Sequence, residues 1–547
     1  MTHRMSRRNA NCKSAPIRAF IDRLRRGVTA TLVLGLMLAT LACSTVRVDV
    51  PRPVSEAWAR PAETALGKAY EPQLDAHRGR SGVFPLVSGT DAFAIRAALA
   101  ESAERTLDLQ YHLVREDTTT QMLISRVLRA AQRGVRVRLL VDDLDALGKE
   151  MDLATLAGFP GIEVRVFNPF SRRGTFGVLH ILEFIGDAER LNRRMHNKLW
   201  IADNAMAVVG GRNLADEYFD ASAQVNFTDF DVLTAGPVVA QVSQSFDAYW
   251  NSEWAIPIQA FVETRPGPEA LAAYEQTLQG RVESFRSTEY ARGLRESHPG
   301  PALRSGQLAF TFAAAEAVFD SPSKPPLDAA GIPVQSLFSR RIRPLIDTTR
   351  NELILISPYF IPSEQGITAI GALVKRGIRV RVLTNSLASA EFPPLAQAGY
   401  ARLRPRLLAA GIELHEMRPD RQDIARRRVS RSSAGSLHAK AIVIDRRHVV
   451  VGSMNLDPRS RQSNTEVGVL FDSTSLATAV GDLFDDAVIP RHAFRVTFAE
   501  ADAPAHGLRW TSEENGAATV YEHDPLASSW LRLLQGVLGA IAPEELL

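Results

Sequence analysis

The chain has 547 residues, 45% apolar and 23% charged, with a formal charge of +3. That length calls for two domains plus extensions, and that composition excludes both intrinsic disorder and a multi-span membrane protein. Its two cysteines, Cys12 and Cys43, exclude a disulfide framework and a cysteine-built four-ligand zinc site.

In chain order, residues 1–42 read as a secretory signal peptide. Eight basic residues precede the uncharged run Val28–Ala42, which ends in Leu41-Ala42-Cys43-Ser44. A run of 15 apolar residues falls short of the roughly 20 that span a bilayer. The Leu-Ala-Cys ending resembles a bacterial lipoprotein box, which would make Cys43 the lipidated first residue of the mature chain. Losing eight basic residues and one acidic residue with the leader takes the charge from +3 to −4. The basic character therefore belongs to the leader, and a nucleic-acid partner is not expected.

Residues 43–85, with scattered proline, read as an irregular tether. After it the chain repeats itself. Ala131-Gln132-Arg133-Gly134-Val135-Arg136-Val137 is echoed by Val374-Lys375-Arg376-Gly377-Ile378-Arg379-Val380, each the end of a helix, a glycine turn and a buried strand. Leu107–Val114 and Leu353–Ile361 precede these runs as further β-rich segments, and Gly161–Val164 and Gly411–Leu414 follow them. The expected fold class is α/β, with two lobes related by a pseudo-twofold axis, each a mixed β-sheet flanked by helices. The lobes are placed at 86–262 and 307–500, with a linking helical segment at 263–306. The tail, 501–547, carries an amphipathic helix with Trp530, Leu533, Leu534, Val537, Leu538 and Ile541 on one face, read as packing on a lobe rather than lying on a membrane, because the opposite face is not basic.

The chemistry lies in a second repeat. His196-Asn197-Lys198, Asp203 and Gly210-Gly211-Arg212-Asn213 match His438-Ala439-Lys440, Asp445 and Gly452-Ser453-Met454-Asn455, with successive spacings of 2, 5, 7 and 3 in both blocks. The histidines are 242 residues apart and the paired Gly134 and Gly377 are 243 apart, so the motif belongs to the structural repeat. A lone histidine in such a place is usually a structural imidazole; two in register point to function. On a strand, residues two apart share a face, so each lobe offers an imidazole, an ammonium and a carboxamide at one sheet edge. Lys198, Lys440, Asn213, Asn455 and Ser453 would hold the non-bridging oxygens of a phosphodiester. One histidine would attack phosphorus while the other protonates the leaving oxygen. Such a site needs no metal and no cofactor. Aligning the valines of Asp231-Val232 and Glu466-Val467 makes Asp231 and Glu466 the carboxylates that orient the histidines, with Asp229 as a substitute for Asp231. Asp203 and Asp445 complete the motif as catalytic candidates, although their position after the strand also suits a loop-holding role.

These blocks are the signature of the phospholipase D superfamily, which the chain resembles over about residues 86–500. The segments Arg190–Lys198, Gly210–Asn213, Asp231–Leu233 with Gly236-Pro237, and Asn455–Ser460 resemble the bacterial cardiolipin synthase C group. The resemblance implies two α/β lobes with one active site between them, a phosphohistidine intermediate on His196, and His438 as general acid and then base. It also implies transfer of a phosphatidyl unit between membrane glycerophospholipids such as phosphatidylglycerol and phosphatidylethanolamine. A hydrolytic phospholipase D that uses water, and a metal-independent nuclease, are the competing readings. The leader implies a membrane-anchored lipoprotein on the exported face of a bacterial membrane, inner or outer. Two flanking stretches offer lipid contacts or a bland alternative. The arginines of 418–431 suit anionic headgroups or a solvated loop, and Phe176–Ile185 suits an acyl channel or a core helix.

Overall fold

A computed structural model describes residues 49–171, 173, 183, 186–324, 337–390, 393–420, 434–500 and 507–541. Cys43, most of Phe176–Ile185 and the arginines from Arg421 to Arg431 lie outside these residues. Arg418 is described, and it is buried against Asp420 and Glu514.

The first half contains β1 (Ser81–Leu86), β2 (Thr106–Tyr111), β3 (Arg136–Asp142), β4 (Ile162–Phe167), β5 (Leu199–Ala202), β6 (Met206–Gly210), β7 (Val225–Thr228), β8 (Asp231–Ala235) and β9 (Ala255–Pro257). The second contains β10 (Thr311–Phe319), β11 (Glu352–Ile356), β12 (Arg379–Asn385), β13 (Glu413–Met417), β14 (Ala434–Leu437), β15 (Ala441–Ile444), β16 (His448–Gly452), β17 (Val467–Asp472) and β18 (Ala493–Phe498). The tail adds β19 (Leu508–Glu514) and β20 (Ala517–Tyr521). Pairing runs β1-β8-β6-β5-β2-β3-β4-β9 in the first half and β10-β17-β16-β15-β11-β12-β13-β18 in the second. The same mixed order twice is the structural form of the sequence repeat. In each half a parallel trio, β2-β3-β4 or β11-β12-β13, follows from helical crossovers, and both glycine turns read from the sequence adopt positive φ at Gly134 and Gly377.

The two sets are continuous rather than separate. β10 is nine residues long, pairing its start with β1 and the remainder with β17, so one 18-stranded sheet crosses the molecule. This corrects the tether assigned to residues 43–85. Ala65–Ala76 is a helix capped by Thr64, and β1 sits in the middle of the sheet. Pro85 is accommodated at the last-but-one position of β1, which hid the strand in a proline-bearing stretch.

Three apolar cores divide the molecule. One packs β2–β4 of the first half against Gly89–Ser102 and Thr118–Gln132; another packs β11–β13 against Glu364–Lys375 and Pro393–Ala409. The central core mixes both halves: Leu199, Val209, Val232 and Trp250 meet Ile356, Val443, Val469 and Phe484. Its helices, Pro237–Trp250 and Thr474–Ala487, follow the equivalent strands β8 and β17. Linking helices at Pro268–Arg286, Glu289–Arg295 and Pro299–Arg304 return the chain to β10. The tail helix Ser529–Ile541 does pack, on Pro393–Ala409, but through the edge carrying buried Gln535 and Gly539. Trp530, Leu533 and Val537 face outward, contrary to the expectation that the apolar face would be the packed one.

Candidate active site

Both His-x-Lys motifs lie at the sheet edge where the parallel strands end. His196–Lys198 is an extended run entering β5, just ahead of the strand rather than on it, and His438–Lys440 enters β15 in the same way. What holds these runs is the opposite half. The His196 N–H donates to the Thr465 carbonyl at 3.0 Å, and Thr465 N–H donates to Arg194 O at 2.9 Å. His438 N–H donates to Thr228 O at 2.8 Å, and β14 pairs in parallel with β7 just before it. Each histidine is therefore tied to the residue that precedes the carboxylate of the other half.

That exchange decides the side-chain pairing. His196 Nδ1 lies 3.0 Å from Glu466 Oε2, and His438 Nδ1 lies 2.7 Å from Asp229 Oδ2. All four groups are buried. The Asp231 assignment is corrected. Asp231 accepts from Arg96 Nη2 at 2.9 Å and lies 3.4 Å from Arg212, within the first half and away from either histidine. Sheet register gives the reason. Gly210 faces Asp231, whereas Gly452 faces Gly468, so the carboxylate two residues before each facing position is Asp229 or Glu466. The valine alignment was two residues off. Asp229 also fits closely against Gly211, where an added Cβ would lie 2.2 Å from its carboxylate. At the equivalent place Ser453 instead donates to Glu466 at 2.5 Å, so Ser453 meets the orienting carboxylate.

Lys198 and Lys440 are buried, and each ammonium donates to the carbonyl of its own motif histidine. Lys440 Nζ also lies 2.9 Å from His438 Nδ1. Burial pushes Lys198 well below the ordinary lysine range, against the pull of Glu466. Burial first, and then the two lysines, push His196 well below its usual value; burial and Lys440 push His438 down to about 4 despite Asp229. Burial and the lysines thus hold both imidazoles toward the neutral form. The carboxylates differ. Burial pushes Glu466 up to about 7, whereas for Asp229 burial is outweighed by His438, Lys440 and Arg212, which hold it below the carboxylate range. Asn213 and Asn455 are buried with side-chain oxygens that make no hydrogen bond, and Asn213 Nδ2 donates to the Tyr218 hydroxyl at 2.9 Å.

Asp203 and Asp445 stand at the far end of β5 and β15. Asp203 accepts from the backbone N–H groups of Glu104, Arg105 and Thr106, and Asp445 from those of Arg350, Asn351 and Glu352. Both take positive φ, which closes the turn after the strand. They fasten β5 to β2 and β15 to β11 and do not reach the histidines.

Several neighbours were not anticipated. His112 packs its ring edge-on to His196 with centroids 5.1 Å apart, and its Nδ1 lies 3.2 Å from the Met195 carbonyl. Tyr218 and Phe227 lie 5.0 and 5.3 Å from the His438 ring. Lys324, early in the segment assigned to the second lobe, is buried and donates to Asp320 and to the carbonyls of Ser460 and Asn464 beside Glu466. His112 at the end of β2 was findable as a histidine at the active edge. Lys324 carried no local signal.

Comparison with known proteins agrees with this geometry. A family model described as "Cardiolipin synthase, PLD-like domain" matches residues 97–250 and 342–488, one match per half. The chain is 36% identical over 486 residues to cardiolipin synthase C of Escherichia coli strain K12, covering 88% of this chain and 99% of that protein. It is 26% identical over 402 residues to cardiolipin synthase A of Pseudomonas putida strain GB-1, covering 73% and 67%. Among solved structures, phosphatidylserine synthase of Haemophilus influenzae Rd KW20 superposes with a TM-score of 0.53 at 13% identity over 88% of this chain and all of that one, a likeness of fold. The duplicated motif, the repeated strand order and the family match across more than half the residues together place this chain in the phospholipase D-like cardiolipin synthase family.

Proposed function

We propose that the protein is a phosphatidyltransferase that makes cardiolipin from membrane glycerophospholipids through a covalent phosphohistidine. The observation that carries this reading is the crossed arrangement. Two histidines, each with Nδ1 held by a buried carboxylate of the other half, stand with two buried lysines in one site. With Nδ1 engaged, Nε2 of each ring is left for chemistry.

A diester phosphate brings its negative charge to the two buried lysines. Its non-bridging oxygens are met by Lys198, Lys440 and the carboxamides of Asn213 and Asn455. Turning the Asn213 amide over lets Tyr218 donate to Oδ1 and frees Nδ2 for a phosphate oxygen. His196 Nε2 attacks phosphorus as the bond to the leaving alkoxide breaks, and that oxygen takes a proton from His438 Nε2. The acceptor alcohol then loses its proton to His438 and attacks phosphorus, and the bond to His196 breaks. The unequal carboxylates support this order. Asp229 keeps its charge and offsets part of the burial that opposes an imidazolium at His438. The higher-lying Glu466 is the weaker partner for a charged His196 and, when ionised, accepts from its Nδ1 and leaves Nε2 the nucleophile.

Phosphatidylglycerol as acceptor, and phosphatidylglycerol or phosphatidylethanolamine as donor, complete the proposal. So does anchorage at the exported face through Cys43, which rests on the leader. Among the described residues no helix is long and apolar enough to cross a membrane. Mass spectrometry of lipids after incubation with defined phosphatidylglycerol and phosphatidylethanolamine tests the activity. Cardiolipin is the expected product, and His196→Ala should lower its formation by several orders of magnitude, roughly 10⁴-fold or more. Phosphatidic acid without cardiolipin would identify a hydrolase and overturn the transfer reading.

A further inference from the structure

Of the ten large apolar side chains exposed among the described residues, five fall between positions 520 and 537: Val520, Leu526, Trp530, Leu533 and Val537. Three belong to the helix Ser529–Ile541, at 69%, 58% and 48% exposure, on the face opposite Gln535 and Gly539. The helix has no carboxylate and one cation, Arg532. An apolar stripe carrying a tryptophan and no acid, turned to the outside of a folded chain, is an interaction surface.

Its position identifies the occupant. Gln535 Nε2 donates to the Gln397 carbonyl at 3.3 Å, Gln397 Nε2 to the Asn385 carbonyl at 3.0 Å, and Asn385 Nδ2 to the Leu437 carbonyl at 2.8 Å. Leu437 immediately precedes His438. Asn385 is the last residue of β12, at the edge where both motifs lie, so the helix is joined by three hydrogen bonds to the active edge of the sheet. Arg404 fixes its start through Asp524 at 2.7 Å. We propose that the outward face of Ser529–Ile541 docks in the interfacial layer of a phospholipid bilayer and presents the active-site edge to its lipid substrates. The choice of a bilayer rests on the phosphatidyltransferase reading. The physical basis is the transfer of Trp530, Leu533 and Val537 from water into the acyl boundary, with Trp530 at the headgroup level.

Tryptophan quenching by vesicles of phosphatidylglycerol with brominated acyl chains tests the docking without turnover. The full chain should be quenched, and Trp530→Phe should lose most of that quenching. In parallel, Trp530→Ser/Leu533→Ser/Val537→Ser should lower activity on vesicles about tenfold or more. It should leave activity on dispersed dihexanoylphosphatidylglycerol within about twofold of the parent. Quenching that Trp530→Phe retains in full would overturn the proposal. So would equal loss of both activities, which would make the face structural. Sedimentation showing self-association that the triple variant abolishes, with vesicle preference unchanged, would assign the face to a second copy. Absence of cardiolipin synthesis alongside Trp530-dependent quenching would instead contradict the transferase reading and leave the docking intact.

Discussion

At the scale of single residues, the two histidines share a motif but not an environment. His438 has the short 2.7 Å contact to a carboxylate that keeps its charge; His196 has longer contacts to Glu466, which also accepts from Ser453. His112 lies against His196, whereas register puts Pro358 at the equivalent place in the second half. Glu466 is pushed up to about 7 by burial, so below that pH it is the neutral acid in the free enzyme and no longer presents an anion to His196. We expect the ratio of kcat/KM in the parent chain to that in Glu466→Gln, which cancels the titration of His438, to rise with pH to about 7 and then level. A ratio flat between about pH 5 and 8 would contradict this role. The stability sign is the reverse. A carboxyl whose folded value lies above its ordinary 4.5 stabilises the fold at low pH, and that contribution is lost as pH climbs from about 4.5 to 7. Which carboxylates serve was only partly legible. Glu466 does lie at His196 Nδ1, but Asp231 and Asp229 are two apart in sequence, so only the pairing of Asp231 with Gly210 separates them.

Among the elements, the motif is a strand with equipment at both ends. His and Lys stand where β5 or β15 begins, and the motif aspartate clamps the turn where it finishes, on three backbone N–H groups of the neighbouring loop. Asp445→Ala should therefore lower stability by about 3 kcal/mol, as expected for loss of several charge-assisted hydrogen bonds. Turnover per folded molecule should stay within about tenfold of the parent. Urea unfolding set beside kcat checks it; unchanged stability with activity as low as that of His196→Ala would make Asp445 catalytic after all. The strands and glycine turns were legible because alternation and helix termination are local. β1 was not, because a six-residue strand containing proline gains its place from β8 and β10, far along the chain. The outward turn of the tail helix escaped for a related reason: periodicity finds an apolar face without saying what covers it.

For the molecule as a whole, duplication makes one site from two incomplete halves. Neither half holds both a histidine and the carboxylate that orients it, since Asp229 serves His438 and Glu466 serves His196. The sheet continuous through β1 and β10, and the central core drawn from both halves, keep that exchange rigid. The repeat in the sequence announced two α/β units and one shared site. It could not announce the crossing, because matched spacings are the same whether partners lie within a half or across halves. The central claim is that these groups form one site with His196 as nucleophile and His438 as acid and base. It is tested most directly by trapping the covalent intermediate from phosphatidylglycerol labelled at phosphorus with a denaturing quench at neutral to alkaline pH, where the acid-labile P–N bond survives, followed by peptide mapping, in the parent chain and in His438→Ala. The account predicts label on His196 in the parent chain, and slowed labelling of the same histidine in His438→Ala, which lacks both the acid for the leaving alkoxide and the base for the acceptor. Label on His438 in the parent chain, or none on either histidine during turnover, would contradict it.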